Sequence, residues 1–312
     1  MMAKGFHPAY LDLSSAELTD RIDAARSLLS PCSVCPRNCA VDRLSNKTGA
    51  CRTGERAIIS SFNPHFGEEA PLVGRGGSGT IFFANCNLKC IFCQNFEISQ
   101  LGEGEPVEPD KIATIMLYLQ RLGCENINFV SPTHVVPQIL SALPNAIERG
   151  LRLPLVYNTG GYDSIATLKL LDGIVDIYMP DMKYADNATA KKLSGIDDYV
   201  ERNRAAVIEM HRQVGDLQIN EDGIATRGLL VRHLVLPEGL AGTDETTRFI
   251  AQRVSKDTYI NLMDQYRPCY KADTVAALRR GITRREYEEA VQIASRNGLW
   301  RFDSPSRRLL LF

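Results

Sequence analysis

The chain reads as an α/β protein built as a partial, open (β/α)6 TIM-like barrel with a small N-terminal appendage. Three observations predict this. From residue 79 onward, short apolar runs alternate with amphipathic segments of helical period, six times over. Every predicted strand ends in polar or ionisable residues, as barrel strands do where enzymes of that architecture carry their sites. Seven of the nine cysteines fall between Cys32 and Cys93, ahead of most of the repeating pattern. The expected organisation is residues 1–78 as an N-terminal helix plus a four-cysteine metal-binding segment, and residues 79–312 as the barrel with a C-terminal helix. Six strands are too few to close a (β/α)8 barrel, and a flat doubly wound sheet fits the same periodicity.

The elements follow in order. Ser14-Ser15-Ala16-Glu17 is a capping box, and Leu18, Ile22, Ala25 and Leu29 then recur at helical spacing, which predicts a helix to Ser30, before Pro31. A loop holding Cys32, Cys35, Cys39 and Cys51 comes next. Residues 52–78 read as irregular, and Gly74-Arg75-Gly76-Gly77-Ser78-Gly79 as a flexible lead-in to the first strand, since no G-x-x-x-x-G-K-[ST] is present. Strands are predicted at 80–85, 126–131, 153–158, 174–181, 229–236 and 258–265, with helices near 109–122, 136–149, 163–171, 198–214 and 243–254. Pro109 suits a helix first turn and Gly123 a helix end. Glu221-Asp222-Gly223 predicts a hairpin turn before the fifth strand, and Thr283-Arg284-Arg285-Glu286 caps a last helix at 283–297. The segment from Phe302 to Phe312 is partly apolar and is expected to cover the barrel bottom, with a partner contact as the alternative.

The 312 residues are 44% hydrophobic, enough for a sizeable core. With 36 basic and 37 acidic residues the net charge is −1, so no nucleic-acid footprint is expected. No apolar run of about 18 residues predicts a membrane span, and the first residues lack a signal-peptide core. A cytoplasmic protein without membrane or nucleic-acid partners is the expectation. In such a compartment nine cysteines point to metal rather than to disulfides. Cys124 and Cys269 are left over.

Cys86, Cys90 and Cys93 form C-x3-C-x2-C directly after the first predicted strand. A structural zinc takes four protein ligands, and so does a saturated [4Fe–4S] cluster. Three thiolates on one short loop therefore suit a cluster with one iron left free. Cys32, Cys35, Cys39 and Cys51, spaced C-x2-C-x3-C-x11-C, form a closed set of four. An auxiliary Fe–S cluster and zinc both fit them, and a closed site is structural or electron-relaying. The other strand ends offer Ser131-Pro132-Thr133-His134, Asn158-Thr159-Gly160-Gly161-Tyr162, Asp181-Met182-Lys183, Arg232 and His233, and Asp264 to Arg267. Asp181 as a helix cap and Lys183 as a solvated side chain are the bland alternatives, and His134 and His233 read as satisfied, partly buried histidines.

The three-cysteine motif, with Phe92 before its last cysteine, resembles the radical S-adenosylmethionine (radical SAM) superfamily. Within it the chain is most similar to the pyruvate formate-lyase activating enzyme-like group, in an uncharacterised branch with an extra N-terminal four-cysteine motif. The segments that carry this run from Cys32 to Cys39, from Gly79 to Phe83, from Cys86 to Asn95, from Arg232 to Pro237 and from Asn261 to Pro268. The resemblance implies a [4Fe–4S] cluster on Cys86, Cys90 and Cys93. It implies SAM held by Asp181 and Lys183, with Phe92, Ser131, Thr133, Asn158 and Arg232 around it. Asn158 stands where the group has an aspartate, and Ser131-Pro132-Thr133 replaces its Gly-Gly-Glu. The implied activity is reductive cleavage of SAM to a 5′-deoxyadenosyl radical, which takes hydrogen from a protein or peptide substrate, a glycyl radical enzyme being one such partner. A small molecule or ribosomal peptide as substrate, or a non-catalytic Fe–S electron carrier, are the other readings. A flavodoxin or ferredoxin-type reductant is implied.

Overall fold

The computed structural model describes residues 6–303. Residues 304–312, most of the segment expected to cover the barrel bottom, lie outside that range. The first element is α1 (Ser15–Ser27), opened by the predicted capping box with both reciprocal hydrogen bonds made. After the cysteine segment come β1 (Ala57–His65), the short α2 (Ala70–Val73) and β2 (Ser78–Phe83). Then follow β3 (Glu105–Val107), α3 (Pro109–Arg121), β4 (Ile127–Val130), α4 (Val136–Glu148), β5 (Leu155–Thr159), α5 (Ile165–Leu170) and β6 (Ile177–Pro180). The chain continues through α6 (Asn187–Ser194), α7 (Tyr199–Val214), β7 (Gln218–Ile219), β8 (Ala225–Leu234), α8 (Thr243–Phe249), β9 (Tyr259–Met263) and α9 (Arg284–Arg296).

The fold is α/β with one mixed, unclosed sheet among the described residues. β2, β4, β5, β6, β8 and β9 lie side by side in chain order and run parallel. β1, β3 and β7 are added antiparallel. Parallel neighbours in sequence order need helical crossovers, which α3, α4, α5 and α8 supply in their intervals and α6 and α7 together in theirs. Strand alternation sorts the side chains. Ile81, Phe129, Tyr157, Tyr178, Val231 and Ile260 enter the main core with Ile112 and Met116 of α3, Ile139 and Leu143 of α4, and Val207 and Met210 of α7. On the opposite face Val156, Ile177, Met179, Leu230 and Tyr259 form a second cluster, closed by Leu72 of α2. Two residues further along each of four strands, that same face turns polar: Asn158, Asp181, Arg232 and Asn261.

Several expectations need correction. Residues 52–78 are not irregular, because β1 and α2 lie there. Pro64 and the polar Ser60, Ser61 and Asn63 obscured β1, which joins the outer side of the parallel set rather than its interior. The glycine run is not a flexible lead-in. A Cβ on Gly76 would stand 1.7 Å from Gly123 O and one on Gly79 2.5 Å from Asn126 O, so these glycines permit close backbone approach. α6 was unpredicted, although Asp186 caps it through Thr189 N–H at 2.7 Å and Gly195 ends it with φ 65°. The helix expected over 243–254 is α8 followed by a π-helical turn at Ile250–Val254. Strand bounds shift by a few residues, most at the start of β8, which extends the predicted hairpin.

Candidate cluster loop and the charged row beside it

The polar ends of the strands converge. Lys183 Nζ donates to Asp181 Oδ2 at 2.5 Å, and Arg232 Nε donates to Asp181 Oδ1 at 2.8 Å. Arg232 Nη2 reaches Asn158 Oδ1 at 2.7 Å. Beyond it stands Glu69, from the residue before α2, with Oε1 4.0 Å from Arg232 Nε and receiving Asn261 Nδ2 at 2.9 Å. The order Glu69, Arg232, Asp181, Lys183 alternates in sign. Burial works against the Asp181 charge, but Arg232 and Lys183 together hold its carboxyl below the ordinary carboxylate range. Burial likewise opposes Lys183, while Asp181 and then Cys90 keep it above its usual value. Glu69 differs: burial raises its pKa, only partly offset by Arg232, and its Oε2 is buried without a partner. Sequence reading missed Glu69, whose only signal was an acidic pair ahead of Pro71.

The three-cysteine loop sits next to this row, since Lys183 feels Cys90 and Cys86 feels both Cys90 and Cys93. α6 holds the loop: Ile91 N–H donates to Leu193 O at 2.9 Å, and Ser194 Oγ lies 3.0 Å from Cys90 Sγ. Cys93 Sγ meets Ser99 Oγ at 3.0 Å, on the π-helical turn Glu97–Leu101 that follows the motif. From beyond β9, Lys271 N–H donates to Ile91 O at 2.8 Å. Phe92 packs edge-on against Tyr266 and Tyr184, with centroids at 6.0 and 6.4 Å, an aromatic wall against the loop. Gly160 lets the turn after β5 approach, as a Cβ there would fall 2.6 Å from Leu88 Cδ1. Burial, then Cys90, pushes the Cys86 thiol up to about 12.

The other expected contacts divide. Ser131 adopts a left-handed φ of 59°, and its N–H donates to Asn158 O at 2.9 Å, so it lies beside the row. Thr133 does not face the row. Its hydroxyl is engaged by Thr159 at 2.9 Å and Asp163 at 2.8 Å, in a buried network with Tyr157. His233 bridges Met182 O and Thr243 Oγ1 at 2.7 and 3.0 Å, and His134 bonds Ala84 O at 3.1 Å. Burial lowers their pKa values to about 4 and about 3, with Arg43 adding to the second.

The N-terminal set is gathered by a run of left-handed residues, Asn38, Ala40, Asn46 and Arg52. Cys32, Cys35 and Cys51 are buried, and Cys35 feels the other three. Burial is the main reason its thiol rises to about 12. A Cβ on Gly49 would fall 2.6 Å from Cys39 Cβ and 2.7 Å from its Sγ, so a glycine keeps that sulfur's surroundings clear. All nine cysteines are free. Free cysteines in sets of three and four, soft donors once deprotonated, suit Fe–S ligation in the first case and Fe–S or zinc in the second. Among the described residues no group of three or more His, Cys, Asp or Glu side chains is drawn in tightly enough for one metal ion. A cavity of about 610 Å³ opens between Pro36 and Asn38 and the start of α7, where Asp198, Glu201 and Arg202 line it. Among the described residues no helix is long and apolar enough to cross a membrane.

The family model described as the Radical SAM superfamily matches residues 80–226, from β2 to the start of β8. The uncharacterized protein MJ0674 of Methanocaldococcus jannaschii is 32% identical over 292 residues, 89% of this chain and 78% of that one. Two solved structures are similar at low identity. A radical SAM methyltransferase from Sphaerobacter thermophilus has 12% identity and a TM-score of 0.45, over 70% of this chain and 64% of its own. HydG, a maturase of the [FeFe]-hydrogenase, has 10% identity and a TM-score of 0.47, over 94% of this chain and 63% of its own. The chain thus spans just under two thirds of each of those two. Residues 80–226 thus carry a domain of the radical SAM superfamily, whose members are enzymes that work with a [4Fe–4S] cluster and SAM.

Proposed function

We propose that Cys86, Cys90 and Cys93 hold the [4Fe–4S] cluster, and that the enzyme takes a hydrogen atom from a protein or peptide, with activation of a glycyl radical enzyme as one such use. When bound and reduced, the cluster supplies the electron that cleaves SAM to methionine and a 5′-deoxyadenosyl radical. The observation that carries the assignment is the buried row Lys183–Asp181–Arg232 beside Cys90. Presenting both signs within a few ångströms suits a zwitterionic amino-acid end, with donors for its carboxylate and acceptors for its ammonium. Asn158, held by Arg232, orients the same end of the site without adding charge. Phe92, Tyr184 and Tyr266 form an aromatic wall that shields one side of the loop from water.

The parallel order of six strands, with polar residues at the C-terminal ends, supports the finer reading of a partial (β/α)6 barrel. In that reading residues 1–78 contribute the metal-binding part and lend β1 to the sheet. Cys32, Cys35, Cys39 and Cys51 hold a second centre, Fe–S or zinc. Free thiols throughout suit a cytoplasmic setting with a flavodoxin or ferredoxin-type reductant. The substrate class is tested by deuterium transfer. Anaerobically reconstituted enzyme turned over with perdeuterated candidate proteins and peptides should place deuterium in 5′-deoxyadenosine. Incorporation from small molecules alone would overturn the protein-substrate reading.

A further inference from the structure

Two arginines within two residues of cysteines of the N-terminal set end on the three-cysteine loop. Arg37 lies between Cys35 and Cys39. Its Nε donates to Asn87 O at 2.9 Å, between Cys86 and Cys90 in sequence. Its Nη1 donates to Gly195 O at 3.1 Å, one residue beyond Ser194, whose hydroxyl meets Cys90 Sγ. Arg52 directly follows Cys51. Its Nη2 donates to Asn85 Oδ1 at 3.0 Å and to Gln100 O, so it grips both the residue before Cys86 and the residue after Ser99. Asn85 is the left-handed residue from which the loop departs, with φ 68°, and its Nδ2 reaches buried Thr53 Oγ1 at 3.5 Å. Arg52 is itself left-handed, with φ 52°, a conformation that persists in a long side-chain residue only when its surroundings enforce it.

The segment that carries these arginines has only a small apolar core of its own, and beyond it buried Arg43 ties the segment to Gly54 O and His134 O at 3.0 and 2.8 Å. Its apolar cluster comprises Leu29, Cys32 and Val34, with Leu28, Val41 and Leu44 against it, and its regular structure is one 3-10 turn, Arg43–Ser45. Bound metal adds order to a segment with so small a core, because ligation free energy becomes folding free energy. We propose that the N-terminal centre is a positioning device for the catalytic loop. Metal at Cys32, Cys35, Cys39 and Cys51 fixes Arg37 and Arg52, and these two struts set the order of residues 85–101. The inference rests on the reading that both cysteine sets bind metal. It holds for zinc and for Fe–S alike, since the struts act on backbone and amide oxygens.

The test is hydrogen exchange of the anaerobically reconstituted full chain, with metal analysis and the electron paramagnetic resonance spectrum of the reduced cluster plus SAM. Cys35→Ser should speed exchange within 85–101 about tenfold while peptides from 109–148 stay unchanged. The double variant Arg37→Ala/Arg52→Ala should do the same with the N-terminal metal retained, and should split the SAM-bound resonance into more than one species. Arg37→Lys/Arg52→Lys should return most of the protection. Wild-type exchange and a single resonance in the alanine pair would overturn the coupling. The triple variant Cys86→Ala/Cys90→Ala/Cys93→Ala separates the two failures. Metal retained there upholds the N-terminal centre, whereas its absence removes that centre and the proposal with it.

Discussion

The two cysteine sets lie on neighbouring loops and are built to different plans. The N-terminal set offers four thiols, three of them buried, with Ala50 N–H on Cys39 Sγ at 3.4 Å. The second set has three thiols, hydroxyls from Ser194 and Ser99 on two of its sulfurs, and the charged row from Glu69 to Lys183 at its side. A closed set can stabilise or relay, and only an open set with charged groups beside it can bind and turn over a substrate. On the proposed assignment, ligand number and neighbouring charge, rather than cysteine density, separate the two sets.

Each prediction presses on that difference. The largest effect belongs to the open set: Cys86→Ala, Cys90→Ala or Cys93→Ala should each abolish SAM cleavage, read as 5′-deoxyadenosine, and retained turnover in any one would erase the distinction. Next is the charged row. Asp181→Asn removes the acceptor between two buried cations and should raise the SAM concentration for half-maximal cleavage by about 30-fold or more, measured on cluster-loaded protein. His233 supports the same row through Met182, the residue between Asp181 and Lys183. Its folded pKa of about 4 lies below the ordinary 6.5. Between these values the unfolded chain binds a proton that the folded chain refuses, so stability falls as pH drops from 6.5 to 4. Denaturant melts should show His233→Asn losing that slope, worth on the order of 2–3 kcal/mol.

The closed set should respond more mildly. Cys35→Ser should lower metal content and slow SAM cleavage a few-fold without abolishing it, and a wild-type metal count would deny the second centre. The smallest effect is expected at Ser194→Ala. Loss of a hydrogen bond of about 1 kcal/mol to Cys90 Sγ should lower the cluster's reduction potential by roughly 40 mV, as read by redox titration, and leave the N-terminal metal unaffected.

What the sequence disclosed followed from periodicity and spacing. The six parallel strands, the capping boxes at Ser14 and Thr283 and the hairpin leading into β8 were legible there, whereas Asp181, Lys183, Arg232 and Asn158 were expected around one site only through the family resemblance. The remainder depended on contacts distant in sequence. Glu69 reaches Arg232 and Asn261 only because α2 packs Leu72 against the sheet's inner face. Thr133 turns to Asp163 because three hydroxyls gather on that buried carboxylate. α6, short and weakly patterned, shows its purpose only where Leu193 and Ser194 meet the cysteine loop. Arg37 and Arg52 looked like ordinary polar residues between cysteines.

The most direct test of the central claim is 5′-deoxyadenosine formation from SAM by the anaerobically reconstituted chain with dithionite. The open and closed sets predict formation in wild type and in Cys35→Ser, and none when Cys86, Cys90 or Cys93 is replaced. Absence of product from iron- and sulfide-loaded wild type with SAM bound, or formation that survives loss of Cys90, would contradict the account.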